Sequence, residues 1–238
     1  MYIFFGNLTS DNEAILGAEE SRHAIKVLRK QPGDEIYFTE GKGTLYKGTI
    51  DSQSKTETHI SILASFPSYG EHAFHIRMAV SPLRLKDRFE WMIEKAVELG
   101  VNEIVPLQCK RTDPFKAKYK DERIKTLMMA ALKQCKRTQF PELHPLTPIN
   151  DWLKQDIKGA KFIGWCEEDT QAIQDFSTNI QQENELTFLI GPEGDFTDEE
   201  VEMARQADFI PISLGENRLR TETAAIFGLS IFKLIKGY

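Results

Sequence analysis

The stretch LTFLIGPEGDFTDEEVEMARQADFIPISLGENRLRTETAAIFGLSIF, residues 186–232, states one idea twice: an apolar strand stops at a glycine loop, and a helix follows. Leu186-Thr187-Phe188-Leu189-Ile190 is a continuous apolar run of strand length, as expected for a strand buried on both faces of a parallel sheet. It ends at Gly191-Pro192-Glu193-Gly194. Thr197 precedes Glu200 by three residues, a capping-box spacing that predicts a helix to about Ala207. Residues 209–214 predict a second strand, with Pro211 suited to a strand start or an edge. After Gly215 and the segment Glu216-Asn217-Arg218-Leu219-Arg220, Thr221 is a candidate cap for a final helix reaching about Ile235. Open α/β sheets bind ligands outside the carboxyl ends of their strands, so two glycine loops there form a site candidate.

The residues around this stretch, 71–238 as a whole, read as α/β. A strand at 75–80 leads through the basic loop Ser81-Pro82-Leu83-Arg84-Leu85-Lys86 to a helix at 87–99, closed by Gly100. A strand at 103–107, a basic loop at 110–120 and a helix at 121–137 follow. Asp151-Trp152-Leu153 starts a short helix, and 161–166 is another strand. The polar segment 167–185 has room for a brief helix around Ala172, Ile173 and Phe176. The final helix has little polar face, which predicts burial within the domain or against a partner.

Residues 1–70 read as a small β-barrel domain, with short strands at 2–5, 35–39, 44–50 and 58–63 separated by turn signals. A helix predicted over 19–30 turns Ala24, Ile25, Val27 and Leu28 inward and leaves Arg22, Lys26, Arg29 and Lys30 outside. Pro67-Ser68-Tyr69-Gly70 is the candidate linker.

The 238 residues are enough for one large domain or two modest ones without disulfides or metals. No stretch approaches the ~20 apolar residues of a membrane span. The start lacks the basic region and cleavage site of a signal peptide. Three widely spaced cysteines, Cys109, Cys135 and Cys166, fit a reducing compartment, so cytoplasm is the expectation. The formal net charge is −6, yet residues 71–140 carry 15 basic and 9 acidic side chains while residues 141–238 carry 8 and 18. The positive middle third reads either as a solvated helical face or as a surface that tracks phosphates. P-loop, dinucleotide-binding and nucleophile-elbow motifs are absent. His72 and His75 form an H-x-x-H at the start of a strand, a pattern that fits surface and core histidines better than a metal site, and no metal is expected.

The residues at 189–194 and 214–224 resemble the signature pair of the bacterial 16S ribosomal RNA uracil-N3 methyltransferases, of the SPOUT superfamily of knotted enzymes. His23-Ala24-Ile25-Lys26-Val27-Leu28-Arg29 with Pro32-Gly33-Asp34 is similar to the family's N-terminal PUA-like module. Glu94-Lys95-Ala96-Val97-Glu98-Leu99-Gly100-Val101 is similar to its first catalytic-domain helix. The resemblance covers nearly the whole chain. It implies a PUA-like RNA-binding barrel (1–70) followed by an α/β trefoil-knot methyltransferase domain (71–238), an exception to the rule against knots. It also implies a homodimer, S-adenosylmethionine as cofactor, and methyl transfer to N3 of a uridine in 16S rRNA or the small ribosomal subunit. The resemblance assigns cofactor contacts to Leu189, Gly191, Glu193, Gly194, Leu214, Gly215, Leu219 and Arg220. Arg220 is the candidate for holding the target, and Glu222 is either a base or a helix-end charge. Arg22, Arg29, Lys30, Arg84, Lys86, Lys110 and Arg111 are candidate RNA contacts.

Two departures stand out. Asp195 replaces a glycine that often follows Gly-Pro-Glu-Gly, and Lys136-Arg137-Thr138 replaces a Gly-Arg-Asn-like turn. The alternatives are a SPOUT enzyme acting on another RNA or atom, and a non-catalytic RNA-binding relative.

Overall fold

The computed structural model describes residues 1–113, 119–166 and 170–238; parts of the expected basic loop at 110–120 and polar segment at 167–185 lie outside them. The chain forms two compact units, Met1–Glu71 with Leu132–Phe140, and His72–Ala131 with Pro141–Tyr238.

In the first unit, β1 (Ile3–Leu8), β2 (Glu13–Leu16), α1 (Ala18–Lys26), β3 (Glu35–Thr39), β4 (Thr44–Gln53) and β5 (Thr58–Pro67) follow in order. The strands close into a barrel, β1-β2-β5-β4-β3, by parallel pairing of β1 with β3. Phe4, Ala14, Leu16, Ala24, Ile36, Phe38, Ile50 and Ile60 fill it. The strand β2 is missing from the sequence reading because four residues in a polar stretch carry little periodicity. Helix α1 is shorter than expected: it ends at Lys26, and Arg29 lies beyond it with φ +53°. Ala24 is buried, but Val27 and Leu28 fall past the helical register and are exposed, so the expected inward stripe stops at Ile25.

In the second unit, the order is β6 (His75–Val80), α2 (Lys86–Glu98), β7 (Glu103–Gln108), α3 (Asp121–Cys135), β8 (Glu142–Leu143), β9 (Thr147–Pro148), α4 (Ile149–Trp152), β10 (Ala160–Gly164), β11 (Gln171–Ala172), a 3-10 turn (Ile173–Phe176), α5 (Ser177–Gln182), β12 (Glu185–Ile190), α6 (Asp198–Gln206), β13 (Ile210–Ser213) and α7 (Thr221–Ile235). The sheet runs β11-β13-β10-β12-β6-β7-β8, with β9 also beside β7, and every pairing is parallel. The apolar run of β12 lies between β6 and β10. Its side chains alternate between two cores. Leu189 joins Ala79, Ile163, Trp152, Phe196 and Val201 on one face. Phe188 goes to the other, where Phe232 of α7 meets Phe162 and Phe188 at centroid distances of 5.6 and 5.4 Å.

Helix α7 approaches β12 through Gly228. A Cβ there would lie 2.2 Å from Cε1 of the fully buried Phe188. The mostly apolar helix thus buries Ala225, Gly228, Leu229 and Phe232, while Phe227 and Leu234 on its other side are exposed. Its N-cap is Arg220, with no side-chain cap bond; Thr221, expected as the cap, is the first helical residue and is buried.

At the opposite end of the parallel strands, Glu103 accepts from Arg77 Nε (2.8 Å) and Nη2 (2.7 Å) and pairs with His75 Nε2 (2.6 Å) and His144 Nε2 (2.9 Å). Partial burial opposes its ionisation, but the hydrogen bonds of His75 and Arg77 outweigh it and hold the carboxyl well below the usual range. This network accounts for His75. The His72 ring nitrogens face the carbonyls of Phe74 and Gly100. Among the described residues no cluster of His, Cys, Asp and Glu is placed to hold a metal ion.

Sequence reading assigns everything after residue 70 to the second domain, but Leu132–Phe140 packs with the barrel. The reason is backbone satisfaction. Glu71 accepts from the amides of Thr138 and Gln139 (2.9 Å each) and from the buried Arg137 guanidinium. Thr39 Oγ1 and Gly43 N–H both donate to Thr138 O, and Phe140 N–H donates to Gly41 O. Lys136 turns the chain with φ +61°, the left-handed conformation that a glycine would adopt without strain.

This packing makes two substitutions informative about stability. Gly228→Ala should lower unfolding free energy by about 1–2 kcal/mol in urea titrations, the overpacking of Phe188 exceeding the ~1 kcal/mol helix preference for alanine. A raised midpoint would show that Phe188 yields freely and only the helix preference remains. Lys136→Gly should raise stability by about 0.5–1 kcal/mol in the same titration, because relief of left-handed strain exceeds the added entropy of the unfolded glycine.

Candidate functional site

The strands β6 and β12 are neighbours whose chains leave the sheet in opposite directions, β6 toward β7 and β12 toward β13 beyond β10. A crevice outside the carboxyl ends of such strands is where α/β sheets place ligands. Three chain segments are bound together there. Ser81 N–H donates to Ile190 O (3.2 Å), and Ser81 Oγ meets Thr112 Oγ1 at 2.7 Å in a buried pair. Thr112 Oγ1 also accepts from Cys109 N–H (2.9 Å).

The first glycine loop, residues 191–197, is fixed from several sides. The capping box read from the sequence is present: Thr197 N–H donates to Glu200 Oε2 (2.9 Å) and Glu200 N–H to Thr197 Oγ1 (3.3 Å). The other oxygen of the buried Glu200 accepts from Lys110 N–H (2.7 Å), joining the end of β7 to the start of α6. Arg111 Nη1 donates to Gly194 O (2.9 Å) and Phe196 O (2.7 Å). Glu193 accepts from Arg84 N–H (2.8 Å). At Gly191 a Cβ would press on the Phe196 ring at 3.1 Å, so this glycine admits a core side chain.

The structure therefore separates the predicted RNA contacts by what they touch. Lys110 pairs with Glu199 (2.8 Å), Arg111 holds the loop, and Arg84 lies 3.6 Å from Asp113. Lys86 is exposed at the start of α2. In the barrel unit, Arg22 and Arg29 are exposed, with Arg22 Nε donating to Ala18 O, and Lys30 Nζ donates to Glu35 O.

Asp195, the departure from the glycine pattern, has φ +65°. It keeps the turn that a glycine would make, and its Oδ1 accepts from Phe196 N–H (2.8 Å). Burial pushes its carboxyl up. That bond and the charges of Arg218 and Arg111 partly offset the effect, which links the first loop electrostatically to the second.

The second loop, residues 214–220, is open. Gly215 has φ +124°, and a Cβ added there would meet no atom within 4 Å, so a ligand can reach its backbone. Ser213 Oγ bonds the Gly215 N–H and C=O groups at 3.2 Å. Leu214 and Leu219 are half-buried and Arg220 is exposed at the mouth of α7. Leu189, in contrast, is fully buried in the core, so its side chain supports the loop from behind. Glu222 is buried in the first turn of α7, and its Oε1 lies 3.3 Å from Arg88 Nη1 on α2. Sequence reading did not single out Arg88; a lone arginine on an amphipathic helix carries no signal until its partner is known.

The catalytic-unit architecture is thus a parallel sheet with two glycine loops at its carboxyl edge, following a closed barrel in the chain. Residues 70–233 match the RNA methyltransferase domain family and residues 16–63 match the RNA methyltransferase PUA domain. The ribosomal RNA small subunit methyltransferase E of Bacillus subtilis is 30% identical, covering 89% of this chain and 86% of its own. A crystal structure of a probable rRNA methyltransferase from Porphyromonas gingivalis aligns with TM-score 0.88 at 28% identity, over 99% of this chain and 98% of that one. The small subunit methyltransferase E of Neisseria gonorrhoeae, solved bound to S-adenosyl methionine, aligns with TM-score 0.86 at 26% identity and the same coverage. This chain belongs to the RNA methyltransferase family of the small subunit methyltransferase E type, and its second unit has the α/β trefoil-knot fold.

Arg111→Ala should release two loop carbonyls. Amide exchange at Asp195 is expected to accelerate about tenfold or more while exchange within β12 is unchanged. Equal protection in both proteins would remove Arg111 from the support of the loop.

Proposed function

We propose that the chain transfers a methyl group from S-adenosylmethionine to N3 of a uridine in 16S rRNA, as free rRNA or in the small ribosomal subunit. The observation that carries this reading is the open backbone of the second loop at Gly215, with Arg220 exposed five residues on and the clamped first loop linked to it through Asp195 and Arg218. Exposed loop backbone that a ligand can approach closely suits an adenosine and the polar ends of an amino acid. Gly191, Gly194, Leu214, Gly215 and Leu219 would hold the cofactor largely through backbone, with Leu189 and Glu193 behind and beside them. When bound, the cofactor supplies an electrophilic methyl on a sulfonium.

The chain's own task is to position the base and let the N3 proton leave. N3 lies on the pairing edge, so the uridine must be unpaired or flipped out. Arg220 is assigned to the target, polarising a uracil carbonyl or holding its phosphate. Glu222, paired with Arg88, is assigned to fixing the start of α7 and with it the direction of Arg220. The barrel, residues 1–70, is assigned to docking RNA through Arg22, Arg29 and Lys30, and residues 71–238 to catalysis.

The same reading includes a homodimer. Phe227 and Leu234 of α7 are exposed, as are Leu85 and Trp91 beside and on α2, the helix α7 packs against. Burial of these side chains in a second copy would satisfy the apolar helix that the sequence flags. Among the described residues no helix is long and apolar enough to cross a membrane. The proposed substrate assigns the protein to the cytoplasm.

The test is transfer of labelled methyl from S-adenosylmethionine to small subunits lacking native modification, with the nucleoside identified. N3-methyluridine is expected; another methylated nucleoside would overturn the assigned atom. Arg220→Ala should lower turnover by roughly 10²–10³-fold with an unchanged melting temperature, as for loss of one positioned donor.

A further inference from the structure

We propose that a second cleft in the catalytic unit, between α2 and the start of α3, is a subsite for one nucleotide of single-stranded RNA beside the modified base. The proposal rests on the RNA-methylating reading of the site. The cleft has a volume of about 130 Å³ and is lined by Lys86, Phe89, Glu90, Tyr119, Lys120 and Arg123. Phe89 and Tyr119 form its aromatic wall, with ring centroids 5.2 Å apart at 37°. Phe89 is buried at the back of the cleft, and Tyr119 is half-buried.

The charges on the rim are not equivalent. Arg123 is committed to Glu90, with Nη2 2.7 Å from Oε2 and Nε 3.1 and 3.2 Å from the two oxygens. That pair neutralises itself and braces α3 against α2. Lys86 and Lys120 are exposed, and among the described residues neither forms an ion pair, although the Lys86 charge also acts on Glu90 from farther off. Two exposed ammonium groups flanking an aromatic wall match a base with a phosphate on each side. Stacking on an aromatic side chain supplies sequence-tolerant affinity, and the lysines supply the salt-dependent part. A small anion would need the charges but not the rings, and an apolar ligand would need the rings but not the charges.

Placement supports the same occupant. Lys86 lies two residues past Arg84, whose N–H is held by Glu193 of the first glycine loop. Arg88, one residue before Phe89, pairs with Glu222 on α7. The start of α2 and the loop before it thus touch the elements that carry both loops, and a strand of RNA delivering its base to the crevice passes along this helix.

The experiment compares the full chain with Lys86→Ala/Lys120→Ala and with Tyr119→Leu, which keeps apolar volume without a stacking face. Binding of transcribed 16S rRNA is measured by filter retention across a salt series, and S-adenosylmethionine binding by calorimetry. The lysine double variant should bind RNA about tenfold more weakly at low salt, with a log–log salt slope smaller by about 1.4 for two phosphates. Tyr119→Leu should weaken RNA binding roughly fivefold or more, with its salt slope unchanged. Cofactor affinity should stay at the wild-type value in both. Wild-type RNA affinity and slope in the lysine double variant would overturn the subsite, as would an equal loss of cofactor affinity, which would mark a structural defect instead. Both lysines are exposed, so that variant decides the matter even where Tyr119→Leu unfolds. The binding readout does not depend on turnover. Absence of methyl transfer by the wild type would count against the proposed reaction, whereas intact RNA binding by the variants would count against the subsite.

Discussion

Burial of β12 on both faces is the constraint from which the catalytic unit is built. Five consecutive residues, Leu186 to Ile190, are out of solvent. A strand in that position must pair on both edges, because its backbone polar groups have no water to turn to. It therefore sits between β6 and β10 and forces the chain to leave the sheet in two directions. The crevice, the two loops and the close approach of α7 at Gly228 are consequences of that placement. The alternation of Phe188 and Leu189 then assigns one core to α7 and the other to α4 and α6.

The first glycine loop is held by polar contacts of long sequence separation. Glu200 is the centre of this arrangement. One carboxylate closes the helix cap at Thr197 and receives the amide of Lys110, ninety residues earlier in the chain. Arg111 adds two hydrogen bonds to loop carbonyls. Cations that look like a ligand-facing surface in the sequence are thus divided between internal support and exposed charge, and Lys86 and Lys120 belong to the second group. The division follows from geometry: the planar guanidinium of Arg111 reaches two loop carbonyls at once, while an exposed ammonium keeps its hydration until a phosphate arrives.

The two departures from the family's glycine pattern have a common physical character. Asp195 and Lys136 both keep a left-handed backbone where a glycine would be unstrained. The turn is retained because surrounding contacts over-determine it, the Phe196 amide and Arg111 at one site and the Glu71 network at the other. Asp195 is the better suited of the two, since a short carboxylate can bond the next amide, and it does so at 2.8 Å.

Elements whose signals are local were legible without any coordinates. The buried strand 186–190, the capping box at Thr197, the strand at 35–39, the glycine stop at Gly100 and the paired glycine loops could each be read from a few consecutive residues, because apolar runs, caps and turns are settled within one or two turns of chain. The resemblance supplied the knot, which no periodicity encodes. Tertiary packing was needed to establish that α1 stops at Lys26, that Leu132–Phe140 joins the barrel, that Glu222 faces Arg88 and that Arg111 serves a loop instead of standing free. Most of these depend on a partner tens of residues away, and a side chain's role is set by whichever group reaches it when water is excluded.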